Sequence, residues 1–256
     1  MSATHYRKSL GQHFLQDENI ARKIVSSLEL EGISQVIEIG PGRGVLTKYL
    51  FREYKLPVLA IEIDRNNVEL LKTKFPEHQN HILHQDILQY NLPERDNQYA
   101  VIGNFPYNIS SQIFFWVLYN RSKIKEIVCM VQKEVAERMS AVPGTKTYGI
   151  LSVLLQAYYH IDVLFSVSPN VFYPKPKVYS AVIRLVRNNI VHLDCDEDLF
   201  FRVVKACFNQ RRKMIRNSIR SIYQGILPDL EVMKKRPEQL GIQQFVEMTK
   251  ELQIFM

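Results

Sequence analysis

Short apolar runs alternate with stretches of helical spacing along the first half of the chain, and this alternation limits the possible folds more than any other feature. Runs typical of buried strands lie at 36–39, 57–63, 82–85, 99–103 and 126–131. Between them, apolar residues recur at helical intervals at 45–54, 67–75 and 111–118. Parallel strands need crossover connections, which helices of this length supply, so the pattern predicts an α/β fold with a mostly parallel sheet.

The alternation weakens in the second half of the chain, and the composition changes after Asn188. Before that point we predict one more helix at 150–158 and strands at 163–167 and 180–187. After it, helical spacing dominates, at 196–222, 230–235 and 243–252. The sequence therefore predicts two domains, an α/β domain over 1–188 and a small all-α domain over 189–256.

The excess positive charge is confined to one segment. The formal net charge is +7, and residues 201–220 contain seven Lys and Arg and no acidic residue. Outside this segment basic and acidic side chains are equal in number, at 26 each. A block of one sign suggests a polyanionic partner, a nucleic acid or less commonly an anionic membrane surface. The residues expected to contact the phosphates of a nucleic acid are Arg202, Lys205, Arg211, Arg212, Lys213 and Arg216.

Cysteine content and hydropathy exclude several classes of protein. The three cysteines, Cys129, Cys195 and Cys207, are too few and too scattered for a disulfide framework or a zinc site. The polar N-terminus lacks the apolar stretch of a signal peptide, and no run is long enough for a membrane span. We expect a cytoplasmic protein with no metal and no membrane association.

A glycine-rich loop follows the first predicted strand of the sheet, in the sequence Glu38–Gly44. Its G-x-G-x-G spacing differs from the G-x-G-x-x-G of dinucleotide sites, and Pro41 removes one backbone donor that a phosphate would need. Glu62 ends the next strand, where an acid can accept both hydroxyls of a ribose. The pair fits an adenosine ligand without phosphates, such as S-adenosylmethionine. The alternative is a tight strand–helix turn without a ligand.

Asp86 follows the third predicted strand. A carboxylate at that place can accept the exocyclic amine of an adenine. It is equally suited to the N-cap of a helix.

The segment Gly103–Tyr107 follows the fourth predicted strand, at the edge where open α/β sheets bind ligands. The exocyclic nitrogen of adenine is a poor nucleophile because its lone pair is delocalised. Two acceptors aimed at its hydrogens, the Asn104 side-chain oxygen and the carbonyl of Phe105 or Pro106, would localise that pair toward an incoming methyl group. Tyr107 can stack on the base. With the glycine loop present, methyl transfer to an amino group is favoured over a simple turn.

Taken together, the motifs resemble those of the ribosomal RNA adenine N6-dimethyltransferases of the small-subunit type. The similarity extends in order along nearly the whole chain. It is carried by the segments Lys8–Leu15, Glu38–Gly44, Glu62–Asp64, Gly103–Ser110, Phe172–Ser180 and Phe208–Asn217. The resemblance implies a Rossmann-like class I methyltransferase sheet of seven strands, mostly parallel with the last strand antiparallel, and an appended basic helical domain.

The resemblance also implies roles for individual residues. Asn104, Pro106, Tyr107 and Phe172 would form the catalytic set, with Phe172 sandwiching the target adenine opposite Tyr107. His13, where relatives often have Asn, is expected to contribute to the cofactor site. The implied S-adenosylmethionine contacts are His13, Leu15, Gly40, Gly42, Glu62, Asp86 and Asn104.

The implied reaction is the dimethylation of two adjacent adenosines in the terminal hairpin loop near the 3′ end of 16S rRNA. It implies action on the immature 30S subunit, by a chain expected to be a monomer. Three alternatives stay open. They are a 23S rRNA adenine methyltransferase of the macrolide-resistance type, a DNA adenine methyltransferase, and a non-catalytic assembly or RNA-binding factor.

Overall fold

A computed structural model of the chain describes residues 13–94 and 97–255. Residues 8–12 of the first motif therefore lie outside the described part. The chain divides into two compact units. The first contains the described residues up to Ala136 together with Ile161–Arg187, and the second contains Glu137–His160 and the chain from Asn188 onward.

Nine strands are found among the described residues, seven of which form the main sheet. They are β1 (Phe14–Leu15), β2 (Gln35–Ile39), β3 (Val58–Glu62), β4 (Ile82–His84), β5 (Tyr99–Asn104), β6 (Ile124–Gln132), β7 (Tyr159–Val167), β8 (Phe172–Tyr173) and β9 (Ser180–Arg187). The order in the main sheet is β4-β3-β2-β5-β6-β9-β7. Strands β2 to β6 pair in parallel and β9 pairs antiparallel to β6. The predicted seven-stranded, mostly parallel sheet with an antiparallel last strand is confirmed.

The helices cover the sheet and build the second unit. They are α1 (Glu18–Val25), α2 (Thr47–Glu53), α3 (Arg65–Lys74), α4 (Ser110–Tyr119), α5 (Lys133–Met139), α6 (Ile150–Gln156), α7 (Glu197–Asn209), α8 (Ile215–Ile219) and α9 (Ile242–Gln253). Several begin where a short carboxylate can satisfy the first free N–H groups. Asp17 accepts the N–H of Asn19 and Ile20, and Asp64 accepts that of Asn66.

A two-stranded sheet that the sequence pattern did not predict joins distant parts of the first unit. Strands β1 and β8 pair antiparallel, with Phe14 opposite Tyr173 and Leu15 opposite Phe172. The N–H of Gln16 extends the pairing to the carbonyl of Val171 at 2.8 Å. Two residues per strand are too few for a periodicity to be read, so only the tertiary pairing reveals these strands.

The second compact unit differs from the predicted domain 189–256 because it includes the excursion Glu137–His160, which the sequence analysis placed in the domain 1–188. Within this unit α6 packs against α7, and the rings of Tyr148 and Phe208 lie 6.0 Å apart. Because α6 is apolar over almost its whole surface, its periodicity does not tell which core it joins.

The predicted helix 196–222 is wrong in its continuity. Helix α7 ends at Asn209, a turn follows, and α8 begins at Ile215 after an extended Met214. Ile215 and Ile219 return to the core after the turn, so the apolar spacing runs on across the break and hides it.

Within residues 13–94 and 97–255, no helix is both long enough and apolar enough to cross a bilayer.

We predict that Gly103→Ala destabilises the first unit. A Cβ at Gly103 would lie 2.4 Å from the carbonyl oxygen of Ile39, a backbone atom that cannot move away without disturbing the β2–β5 pairing. Overpacking of this kind costs about 1–3 kcal/mol, so thermal and urea unfolding should show a loss in that range. Gly241→Ala is the control, because its Cβ meets no atom within 4 Å. Equal stability of the two variants would contradict this packing argument.

Candidate active site

A pocket of the first unit lies at the carboxyl ends of the parallel strands. Neighbours β3 and β5 flank β2, so the order of the strands reverses there, and open α/β sheets bind ligands at such a reversal. The pocket has a volume of about 180 Å³ and is lined by His13–Leu15, the glycine loop, Glu62, Asp86 and the segment 104–109. The structure thus brings together most of the residues selected from the sequence.

The glycine loop has a backbone that other residues rarely adopt. Gly40, Gly42 and Gly44 have φ values of 66°, 55° and 79°. A Cβ on Gly42 would lie 3.0 Å from the ring of Phe14, so β1 closes over the loop at van der Waals distance. The loop therefore needs glycine at Gly42 for two reasons, its backbone conformation and the proximity of Phe14.

Glu62 is held at the end of β3 by backbone donors. One carboxylate oxygen accepts the N–H of Gly42 and the other accepts that of Asp64, both at 2.9 Å. The side chain is 2% exposed, and burial raises the pKa of its carboxyl group while these N–H groups oppose the rise. A carboxylate oxygen can accept more than one hydrogen bond, so Glu62, which lines the pocket, has acceptor capacity left for a ligand hydroxyl.

Asp86 lines the same pocket and also caps a short 3₁₀ turn, since its carboxylate accepts the N–H of Leu88 at 2.9 Å. The two interpretations of this residue are compatible. One oxygen caps the turn, and a carboxylate has acceptor capacity left for a ligand amine.

Glu38 also lines the pocket, although no role for it was predicted from the sequence. It is 1% exposed, and its Oε2 has no hydrogen-bond partner among the described residues. Burial raises the pKa of its carboxyl group to about 8, and the nearby Glu62 carboxylate adds to the rise. A carboxylate inside the apolar run Val36–Ile39 was the signal that could have identified it.

Asn104 ends β5 with its side-chain amide held by the leader strand. Its Nδ2 donates to the backbone carbonyl of His13 at 2.8 Å. Because that carbonyl can only accept, the amide is oriented with nitrogen toward His13 and Oδ1 away from it. The ring of His13 is also engaged, since its Nδ1 donates to the carbonyl of Pro174 at 2.7 Å. Only Nε2 of that ring is left for any ligand.

Tyr107 is half-buried at the pocket and its hydroxyl is bonded to the Oγ of Ser180 at 2.6 Å. Burial raises the pKa of the phenol, so it is neutral. Pro106 lies between Asn104 and this ring, and its carbonyl accepts the N–H of Ile109 at 3.2 Å. That carbonyl has a second lone pair available as an acceptor. Ser180 was quoted as part of a motif, but its contact with Tyr107 was not foreseen.

The structure does not place Phe172 where the sequence analysis expected it. Its side chain is 4% exposed, and it belongs to the hydrophobic core together with Leu15, Ile24 and Val182. A ring that sandwiches a base must offer one open face, which this one does not. The reason is alternation along β8, which turns Phe172 inward and leaves Tyr173 54% exposed.

Five of the six basic residues selected from the sequence are exposed in the second unit, and Arg211 is the exception. Its guanidinium donates to the carbonyls of Lys146 and Thr145, at 2.6 and 3.0 Å, and lies 3.8 Å from the Glu238 carboxylate. Arg211 is therefore bonded to other residues of its own unit. The exposed residues are Arg202, Lys205, Arg212, Lys213 and Arg216.

No cluster of three or more His, Cys, Asp and Glu side chains that could hold a metal ion is present in the described part of the chain.

Comparison with known proteins identifies close relatives. Residues 3–254 match the family described as ribosomal RNA adenine dimethylase. The chain is 51% identical to the ribosomal RNA small subunit methyltransferase A of Cytophaga hutchinsonii, over 98% of this chain and 99% of the relative. It is 48% identical to the protein of the same description from Flavobacterium johnsoniae, over 99% and 98% of the two chains.

Two solved structures are also similar. A dimethyladenosine transferase from Plasmodium falciparum superposes with a TM-score of 0.74 at 23% identity, covering 92% of this chain and 96% of that one. The 23S rRNA methyltransferase ErmE superposes with a TM-score of 0.66 at 27% identity, covering 92% and 99%. The first of these supports the fold alone.

We predict that Glu38 makes stability fall as the pH rises. With a folded-state pKa of about 8, well above its ordinary value, the folded protein holds one more proton than the unfolded chain between about pH 5 and pH 8. The free energy of unfolding therefore decreases across that interval. Glu38→Gln cannot ionise, so it does not lose stability in this way. As the pH rises from 5 to 8, its melting temperature relative to that of the unsubstituted protein should therefore increase by several degrees.

Thermal unfolding followed by circular dichroism at several pH values measures this difference. Glu31→Gln, at an exposed position, is the control and should follow the unsubstituted protein. Parallel curves for Glu38→Gln and the unsubstituted protein would show that Glu38 is ionised in the fold.

Proposed function

The chain belongs to the ribosomal RNA adenine dimethylase family, and on that premise we propose that it dimethylates adenosines of 16S rRNA with S-adenosylmethionine. The targets we propose are the N6 amino groups of two adjacent adenosines in the loop of the 3′-terminal hairpin, in the immature 30S subunit. The observation that carries the proposal is the orientation of the Asn104 amide, whose oxygen is left for the target by the bond from Nδ2 to His13.

The pocket fits a cofactor that contains adenosine but no phosphate. Arg43 is the single Lys or Arg among its described lining residues, and its guanidinium lies 4.9 Å from the centre of the Phe14 ring. A pyrophosphate would need more positive charge or more free N–H groups. Glu62 has acceptors for a ribose diol, Asp86 has one for an adenine amine, and the glycine loop leaves room for close approach of the chain.

Catalysis in this proposal rests on acceptors and not on a strong base. When bound, S-adenosylmethionine supplies an electrophilic methyl group. The Asn104 oxygen and the Pro106 carbonyl accept the two hydrogens of the adenine amine, which draws the nitrogen lone pair out of conjugation with the ring. Methyl transfer would form a nitrogen–carbon bond while the methyl carbon–sulfur bond of the cofactor breaks, its electron pair staying on sulfur. The nitrogen would become cationic and then release one proton to water.

Tyr107 holds the target base by stacking. Its bond to Ser180 restrains the ring, so that little side-chain entropy is lost when a base stacks on it. A neutral aromatic face also lowers the cost of the transient positive charge on the nitrogen. Adenosines in a hairpin loop are unpaired and can enter such a pocket at small unstacking cost.

The second unit supplies affinity for the RNA backbone in this proposal. The exposed cations of α7, the following turn and α8 suit phosphates, which determine affinity and position but carry no sequence information. Target choice then depends on the shape of the ribosomal particle and on the pocket. We propose that the chain acts as a cytoplasmic monomer.

The alternatives are less well supported. Relatives described as acting on the small subunit are 45–51% identical to the chain, whereas the 23S enzyme ErmE is 27% identical. A DNA methyltransferase would need a target-recognition insertion. A non-catalytic factor would have no need of the restraints on Asn104 and Tyr107.

Methyl incorporation tests the proposal directly. The protein and labelled cofactor are incubated with immature small subunits, large subunits or naked 16S rRNA, and modified nucleotides are mapped by mass spectrometry. We expect two adjacent dimethyladenosines in the small subunit alone. Cells lacking the protein should lack both modifications. Label in the large subunit instead would favour the macrolide-resistance alternative.

We predict that Glu62→Gln weakens cofactor binding about 10- to 100-fold, the range for losing a hydrogen bond to a charged group. In either orientation of the new amide, its NH₂ group faces the N–H of Gly42 or Asp64 and cannot accept it. One acceptor for the ribose is lost as well. Calorimetric titration with S-adenosylmethionine measures the effect. Glu69→Gln, on the exposed side of α3, is the control. Unchanged affinity in Glu62→Gln would remove Glu62 from the cofactor site.

We predict that Asn104→Ala lowers methyl incorporation into small subunits at least about 100-fold, the usual effect of removing one preorganised polar group from an active site. Binding to the particle should change less than about threefold, since most of that affinity comes from phosphate contacts elsewhere. Filter binding and methyl incorporation are measured in parallel, with the exposed Asn80→Ala as the control. Loss of both activities together would contradict the role of Asn104.

A further inference from the structure

An exposed loop beside the pocket has a tyrosine at each end and two lysines between them. It extends from Tyr173 to Tyr179 and is called here the tyrosine–lysine loop. Tyr173 and Tyr179 are 54% and 55% exposed, although large aromatic side chains are usually buried. Lys175 and Lys177 lie between them and are also exposed. The fold itself gives no reason for these four side chains to lie at the surface.

The charge of this loop is not neutralised locally. No Asp or Glu occurs from Val163 to Arg187, and within the described residues neither Lys175 nor Lys177 takes part in an ion pair. The two lysines face an open groove whose other wall is the turn 168–170. Such a surface attracts an anionic partner.

Both ends of the loop are bonded to residues of the pocket. The carbonyl of Pro174 accepts from the ring of His13, and Ser180, directly after the loop, is bonded to the hydroxyl of Tyr107. The carbonyl of Tyr179 also accepts the N–H of Lys133 at 2.9 Å. The loop therefore lies close to Tyr107, and a nucleic-acid strand with one base stacked on Tyr107 would pass near it.

The backbone of the loop is restrained as well. Pro174 and Pro176 each fix one φ angle and also restrict the residue before them. The side chains of Tyr173, Lys175, Lys177 and Tyr179 are thus presented by a stiff segment, and a ligand that binds them does not have to order a flexible loop.

We propose that the tyrosine–lysine loop binds the single-stranded RNA that flanks the target adenosine, with the two tyrosines stacking on bases and the two lysines contacting phosphates. The inference rests on the proposed function. Aromatic faces next to cations are the combination with which proteins bind unpaired nucleotides without reading their sequence. With Phe172 buried, the exposed aromatic faces of this part of the chain are those of Tyr173 and Tyr179.

The test measures binding of a short fluorescein-labelled single-stranded RNA with two adjacent adenosines, by fluorescence anisotropy at several salt concentrations. Lys175→Glu/Lys177→Glu should weaken binding at least about tenfold at low salt and reduce the slope of log K against log [salt] by about 1.4, the value for two single-strand phosphates. Tyr173→Ala/Tyr179→Ala should weaken binding at least about fivefold with little change in that slope.

The controls carry one substitution of the same type on other exposed surfaces of the first unit. Lys55→Glu lies at the amino ends of the strands, and Tyr119→Ala replaces a side chain that is 82% exposed at the end of α4. Both should bind the oligonucleotide within about twofold of the unsubstituted protein. All variants should keep their affinity for S-adenosylmethionine, which also verifies that they are folded.

Three results would overturn the proposal. The loop variants could bind the RNA as tightly as the controls do. They could lose cofactor affinity in parallel, which would make the loop a support of the pocket. They could keep RNA affinity but lose binding to the particle, which would assign the loop to a ribosomal protein. Failure of the unsubstituted protein to methylate small subunits would instead refute the proposed function, whereas the RNA-binding comparison would stand by itself.

Discussion

The hydrogen bond from the Asn104 amide to the His13 carbonyl is the contact on which the candidate site depends. An amide group has a donor end and an acceptor end, and occupying one end orients the other. The carbonyl that does this belongs to the leader, which is held in turn by the β1–β8 pairing and by the bond from the His13 ring to Pro174. Segments about 160 residues apart in sequence are thereby joined, and the leader holds the donor end of the Asn104 amide, which leaves its acceptor end for a ligand.

The same leader closes the cofactor side of the pocket. Phe14 packs on the glycine loop at a distance that only a glycine at Gly42 permits, and the Arg43 guanidinium lies 4.9 Å from the centre of its ring. Behind the loop, Glu62 is held by backbone N–H groups, so its carboxylate is already oriented before any ligand binds. Buried carboxyl groups such as those of Glu38 and Glu62 are costly for the fold, and their presence at one pocket is typical of a functional site.

Much of this arrangement could be predicted from the sequence because it depends on local patterns. The seven strands of the sheet, the glycine loop and the position of Glu62 after β3 follow from apolar periodicity and from the order of strands and loops. What the sequence did not reveal concerns distant contacts. Arg211 bonds to the chain near Lys146, and Phe172 packs in the hydrophobic core.

What the sequence by itself determined is the α/β fold, the family to which the chain belongs and the residue types at the carboxyl ends of the strands. These depend on spacing along the chain, which is visible without coordinates. Only the tertiary structure decided which unit the excursion Glu137–His160 joins, which face of β8 is buried and which cations are engaged. Each of those outcomes depends on burial against, or hydrogen bonding to, residues far along the chain. Such distant partners leave no periodic signal in the sequence.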